Sequence, residues 1–268
     1  MSLLSVLLLL GTGAFAGILG GLFGIGGGVV IVPVLYAVFG AMGVAEAVQI
    51  KLAVGTSLAT IIVTSVRSLS AHAKTGQVEM ALLRRWAPFI AAGAAGGAAL
   101  ARIVPAEALT LIFALGVLLI ALQKAFLGQP SAREASLPPL IVQYALAAAT
   151  GLASALMGIG GGVFGVLILT SFGRSVHRAV ATAAGFGLAI AVPGAIGFVL
   201  AGQGAPVPPG AFGYVHLVGF ASLAVATAVT APLGARLAHS LSAALLTRLF
   251  AIYLLITGLL LIRDVVAG

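Results

Sequence analysis

The chain has no cysteine, which excludes disulfides, thiolate metal centres and cysteine nucleophiles. It also has very little charge. Asp, Glu, Lys and Arg make up 7% of its 268 residues and hydrophobic residues 62%, whereas a soluble domain carries roughly a quarter charged residues. Such a sequence cannot cover a globular surface with polar groups, and its natural solvent is a bilayer. The five acids all fall near the ends of apolar runs. Cation carriers and pumps place a carboxylate inside the membrane to coordinate or relay the ion, so the lack of one points to an anionic cargo. His72, His216 and His239 are scattered, with no carboxylate pair at ligand spacing, so no metal site or cofactor is expected. The formal charge of +8 would suggest nucleic acid for a soluble chain. Here the cations flank apolar spans, so topology explains them and nucleic acid is not an expected partner. The partners expected are the lipid bilayer and a small anion, and a homo-oligomer is left open.

What the chain does have is a succession of apolar runs, each about the 20 residues a membrane helix needs. Turn signals between them predict helices near 3–22, 27–40, 45–72, 80–102 and 106–124. A second series follows near 140–157, 162–172, 177–201, 213–238 and 243–262. The first run has no basic segment before it and no small-residue cleavage site after it, so it reads as the first membrane helix rather than a signal peptide. The expected class is an all-α polytopic membrane protein of two repeats, each a broken or re-entrant helix pair followed by three transmembrane helices. The expected domains are a first membrane repeat at 1–127, a linker at 128–139 and a second membrane repeat at 140–268. The linker is rich in Gln, Pro, Ser, Arg and Glu, a composition that cannot bury apolar area.

The repeat is visible residue by residue. Gly24-Ile25-Gly26-Gly27-Gly28-Val29 returns as Gly158-Ile159-Gly160-Gly161-Gly162-Val163. Lys51 to Gln77 aligns without a gap on His177 to Gln203, bringing Thr56 onto Thr182 and Arg67 onto Pro193, and Ile112 falls on Leu249. A kink or break is expected at Pro193. The Lys/Arg bias sets the relation between the halves. If each half makes an odd number of crossings, Arg67, Lys74, Arg84, Arg85, Lys124, Arg133, Arg174, Arg178, Arg236 and Arg248 share one face, and only Lys51, Arg102 and Arg263 lie at the other. If each broken pair is one kinked crossing, the split becomes seven against six. The positive-inside rule selects the first arrangement, with inverted repeats, both termini outside and the central loop 125–139 in the cytoplasm. Trp86, beside Arg84 and Arg85, is then expected as a cytoplasmic interfacial anchor.

Three consecutive glycines do not sit cheaply inside a helix, because each loses more backbone entropy on ordering than any other residue. Two helices therefore break at matched places. Broken helices paired across an internal repeat are the sequence pointer to a transporter's substrate site. The N–H groups opening the second helix of each pair, at Gly26, Gly27, Gly28 and Val29 and at Gly160, Gly161, Gly162 and Val163, are donors at the positive end of a helix dipole and suit an anion. Gly13, Gly17 and Gly21, and likewise Gly93 and Gly97, are instead spaced four apart, as in helix-packing seams. The string Gly160 to Gly165 formally matches a dinucleotide fingerprint, but it has no βαβ context and no acid about 20 residues on, so it is a false positive. Thr56, Ser57 and Thr182 could donate to an oxyanion beside the breaks or bond within their own helices. Lys51 and His177 occupy equivalent positions near helix ends, where they could add charge to a site or snorkel to the interface. No Ser-His or Asp-Asp pair stands at membrane depth, so no intramembrane enzyme, and no catalytic residue, is expected.

Gly20-Gly21-Leu22-Phe23-Gly24-Ile25-Gly26-Gly27-Gly28, Ala53-Val54-Gly55-Thr56-Ser57, their second-half copies and the late stretch Ala231 to Ala238 together resemble the TauE/SafE family of sulfite and organosulfonate exporters. The resemblance covers nearly the whole chain. It implies transport of small sulfur-containing anions, such as sulfite, thiosulfate or sulfonates like sulfoacetate, across a bacterial inner membrane. Two departures stand out: Gly55-Thr56-Ser57 becomes Ala181-Thr182-Ala183, and Pro33 becomes Leu167. A site built from both halves would therefore be asymmetric.

Overall fold

The computed structural model describes residues 3–23, 27–126, 137–240 and 242–267. The first half forms α1 (Leu3–Phe23), α2 (Gly28–Ala41), α3 (Glu46–Lys74), α4 (Met80–Ile103) and α5 (Ala106–Phe126). The second half forms α6 (Leu140–Met157), α7 (Gly162–Ser171) and α8 (Val176–Ala201). A two-stranded antiparallel hairpin, β1 (Ala211–Phe212) and β2 (Val215–His216), then leads into α9 (Leu217–Ser240) and α10 (Ala243–Ala267). Among the described residues six helices are long and apolar enough to cross a membrane: α3, α4, α5, α6, α8 and α10. Most of the expected linker lies outside the described residues.

Glycine ends the helices where the sequence demands it. Gly43, Gly158 and Gly173 adopt φ of 75°, 63° and 77°, a left-handed conformation that residues with a Cβ avoid. In each case the next residue's N–H reaches back five positions, from Val44 to Phe39, Ile159 to Ser154 and Arg174 to Leu169. This is the terminal motif that satisfies otherwise orphaned carbonyls. Gly43 and Gly173 close α2 and α7, the equivalent short helices of the two halves.

The packing exchanges elements between halves. α1 packs mainly on α9, and its counterpart α6 packs on α4, while α3 faces α8 and α5 faces α10. The α1 seam is glycine against backbone: a Cβ on Gly13 would lie 3.0 Å from the Leu223 Cα, and one on Gly17 would lie 2.8 Å from the Thr227 Cα. The α4/α6 seam repeats this with Gly97 against Leu152 and Gly151 against Ile90 and Ala94. These glycines serve close approach, as their spacing predicts. α3 and α8 run antiparallel, since Gly55 approaches Phe198, Leu58 approaches Gly194 and Ser65 approaches Gly187.

Three expectations need correction. α9 begins at Leu217 rather than near 213, because Gly210 to His216 fold into the hairpin. α8 continues through Pro193 as one helix, so the proline does not end it. Trp86 is not an interfacial anchor. It is fully buried, stacked on Phe186 with ring centroids 5.7 Å apart, and its Nε1–H donates to the Gln143 Oε1 at 3.2 Å. It lies on the face of α4 that meets α6 and α8, where its only polar atom finds a side-chain partner.

Candidate functional site

The two helix breaks meet in the interior. A Cβ on Gly28 would stand 2.8 Å from the Gly158 carbonyl oxygen and 3.0 Å from the Ile159 Cα, so the start of α2 lies directly against the second break. Ile61 of α3 fills the angle between them: its side chain would lie 2.9 Å from a Cβ on Gly28 and 3.2 Å from one on Gly160. Gly27 caps α2 with φ of 79° and accepts the N–H groups of Val30 and Ile31 at 2.9 and 2.8 Å. In α7 the first N–H to find a helical partner is that of Gly165, bonded to the Gly161 carbonyl at 2.8 Å. The N–H groups of Gly162, Val163 and Phe164 have no acceptor among the described residues. Both short helices thus direct positive dipole ends toward a buried crossing. Met157 to Gly161 are all buried, as are Val29 and Val163. Gly26 lies outside the described residues.

Of the hydroxyls singled out from the sequence, Ser57 reaches the crossing. Its Oγ–H donates to the Gly158 carbonyl at 2.8 Å, tying α3 to the break of the opposite half. The second half has Ala183 at the equivalent place, so this tie is made once. Thr56 and Thr182, both fully buried, do something else. Thr56 Oγ1 accepts the His216 N–H at 2.9 Å, and Thr182 Oγ1 accepts the Glu79 N–H at 3.0 Å. Each threonine therefore holds the residue just ahead of a long helix of the other half: His216 ahead of α9 and Glu79 ahead of α4. The antiparallel register of α3 and α8 separates the two threonines by about 14 helical positions, or about 21 Å. Thr56 stands level with Gly158, which meets Val54 and Ser57, whereas Thr182 lies one turn from Phe186, the neighbour of Gly161, and both hydroxyls are taken by backbone N–H groups.

The cations part company. Lys51 is buried at 7% exposure, with Nζ 5.8 Å from the centroid of the Tyr214 ring. It is covered by the hairpin instead of snorkelling. Its repeat partner His177 is exposed at the start of α8 and does not join the site. At that end Arg174 and Glu79 form an ion pair at 3.0 Å, beside the Thr182 bond.

Two residues escaped the sequence reading. Ser154, fully buried one turn before Gly158, has an Oγ with no partner among the described residues. Nothing marked it, since its repeat partner is Gly20. His216 had a usable signal: the spacing that carries Ile112 onto Leu249 also carries Glu79 onto His216, so both are helix-entry residues of matched rank. Among the described residues, no three His, Asp or Glu side chains gather at metal-ligand distance.

Comparison with known proteins shows the family. Residues 9–261 match the family described as sulfite exporter TauE/SafE. A "Probable membrane transporter protein" of Haemophilus influenzae is 33% identical over 258 residues, covering 95% of this chain and 97% of that protein. Another protein of the same description, from Methanocaldococcus jannaschii, is 30% identical over 241 residues, covering 86% of this chain and 83% of its own length. No solved structure matches. With helix pairs broken at matched glycines, six helices able to span a bilayer and a family match along nearly its whole length, the chain belongs to the TauE/SafE sulfite exporter family and is a multi-pass membrane transporter, not an enzyme.

Proposed function

We propose that the protein is a secondary carrier of small sulfur-containing anions, such as sulfite, sulfonates or thiosulfate, working by alternating access. One observation carries this reading: the N-termini of α2 and α7 converge on a buried crossing that contains no carboxylate among the described residues. Backbone N–H donors and two helix dipoles are worth most in such a low-dielectric place, and glycine lets a ligand approach them without a Cβ in the way. In this reading Gly26 to Val29 and Gly160 to Val163 hold the anion, Ser57 positions the second break, and Ser154 offers a free hydroxyl. Thr56 and Thr182 act as latches at the two ends, and Lys51 contributes charge from the outer side.

The proposal includes inverted repeats, supported by the antiparallel run of α3 and α8. Lys74, Arg84, Arg85 and Arg174 then share the cytoplasmic end and the 211–216 hairpin lies outside. Residence in a bacterial inner membrane accords with this charge bias. The test is a ligand panel. Sulfite and sulfonates should raise the thermal midpoint of purified protein at concentrations where chloride and acetate do nothing, since only a ligand of the folded state shifts it. Counterflow of the stabilising anion in proteoliposomes should follow. Equal stabilisation by acetate would move the substrate to another class of small anion, and stabilisation by no anion would remove the crossing as a binding site.

A further inference from the structure

His216 sits where the hairpin turns into α9, with its whole side chain buried. Its ring Nδ1 accepts the Gly219 N–H at 2.9 Å while its own backbone N–H is held by Thr56 Oγ1 at 2.9 Å. The imidazole is therefore the N-cap of α9, taking up one of the donors a helix start leaves free. A nitrogen that accepts a hydrogen bond carries no proton, so the cap requires the neutral ring with its proton on Nε2. That Nε2 is buried without a partner among the described residues. The Phe39 ring lies 5.4 Å from the imidazole.

We propose that His216 is the proton-binding site of this transporter: protonation at Nδ1 destroys the α9 cap and releases the hairpin that closes the outer end. The link to flux rests on the transport reading above, whereas the protonation chemistry does not. Three terms oppose a proton in the closed arrangement. Nδ1–H would face the Gly219 N–H, a clash of two donors. The new charge would stand at the positive end of the α9 dipole. It would also be buried, and burial already pushes the His216 imidazole below its usual value near 6.5.

Among the described residues no carboxylate is paired with the imidazole, although Glu107 of α5 and Asp264 of α10 stand at the same end of the molecule, near Lys51 and Tyr36. α3 presents Lys51, another cation, and carries Glu46 at its exposed first turn. α2 presents Phe39 and carries Tyr36, and the hairpin presents Tyr214. α8 and α9 hold their titratable residues at the opposite ends. At this face Thr56 and His216 mirror Thr182 and Glu79, where the equivalent entry residue has Arg174 for a partner. Of the two latches, only the outer one carries an imidazole.

The sign follows from linkage. In the open state His216 meets water and regains the ordinary imidazole value, while burial in the closed state holds it lower. Closure is therefore favoured above the ordinary imidazole range and weakens as the pH falls through that range toward the closed-state value.

Two measurements test this. In labelled protein in nanodiscs, nitrogen NMR of the histidine rings, with His216 assigned by its loss in His216→Asn, should show the Nε2–H tautomer at pH 8 and titration below 6.5. The Gly219 amide signal should shift as the ring protonates. An Nδ1–H tautomer, or protonation without change at Gly219, overturns the proposal. In proteoliposomes carrying the stabilising anion, lowering the outer pH from 7.5 to 5.5 should change flux by more than about twofold, and by up to about tenfold, in the parent. His216→Asn, which keeps an acceptor for the cap but cannot titrate, should respond less than about twofold. An equal pH response in both proteins refutes the proton site. Absence of flux for every anion in both would fall on the transport reading, and the NMR result would still decide the proton site.

Discussion

Replacing Thr56 by valine keeps the side-chain volume but removes the oxygen that accepts the His216 N–H. The bond is buried, joins residues 160 positions apart and fixes the hairpin at the end of the molecule where α3 begins. Leaving a buried donor unsatisfied costs about 1–3 kcal/mol, so the latched state should lose about 5- to 150-fold relative to an open state in which water satisfies that N–H. The readout is Val215→Cys, at a hairpin position that is 4% exposed, in a chain with no other cysteine. At fixed pH, Thr56→Val should raise the labelling rate of this cysteine by at least about fivefold by the same arithmetic. Thr56→Ser, which keeps the oxygen, should label like the parent. Thr182→Val should leave Val215→Cys unaccelerated, because its partner Glu79 lies at the other end. Unchanged labelling in well-folded Thr56→Val would mean that the hydrogen bond does not hold the outer end closed.

The crossing makes a split prediction for its glycines. A Cβ on Gly161 would lie 2.5 Å from the Phe186 Cβ and 2.7 Å from the Gly187 N, so Gly161→Ala should lose folded yield, whereas Gly160→Ala meets only the flexible Ile61 and should fold yet weaken sulfonate binding. Comparable yields, or unchanged binding by Gly160→Ala in a titration, would contradict this. Trp86→Ala should cost about 3–5 kcal/mol, as expected for a buried aromatic, and show as loss of monodisperse protein. Trp86→Phe should cost about 1–3 kcal/mol, because it leaves the buried Gln143 Oε1 without its donor. Breaking the Glu79 to Arg174 pair with Glu79→Gln should cost less than about 1 kcal/mol, because both side chains are about a quarter exposed, and high salt should erase the difference in thermal midpoint. For topology, cysteine at exposed Gln203 should react with an impermeant thiol reagent in intact cells, and cysteine at exposed Thr75 should not. Equal labelling would refute the opposed orientation of the halves.

Helix positions were legible in the sequence because they depend on local chemistry. Apolar length, the turn residues and the φ freedom of glycine act within a few residues, and the ten helices begin and end close to the expected places. The two breaks belong to the same class, since consecutive glycines tell against a continuous helix whatever surrounds them. Glycines spaced four apart do pack seams, but the clustered glycines Gly28, Gly158 and Gly161 also meet backbone at close range, so spacing alone did not separate the two roles.

Partners could not be read in this way. A threonine side chain looks the same whether it bonds its own helix, a ligand or a distant N–H. Only the antiparallel docking of α3 on α8 brings Thr56 to His216 and Thr182 to Glu79. Trp86 follows the same rule: its neighbouring arginines suggest the interface, but the turn of α4 points the indole between α6 and α8. Lys51 and His177 are equal in the repeat and unequal in the fold, because the hairpin covers one and nothing described covers the other. The sequence by itself determined a bilayer protein of two repeats with matched breaks, since composition and backbone freedom are local properties. Only the tertiary structure decided which groups those breaks and threonines meet, because contacts between residues more than a hundred positions apart depend on how the helices dock.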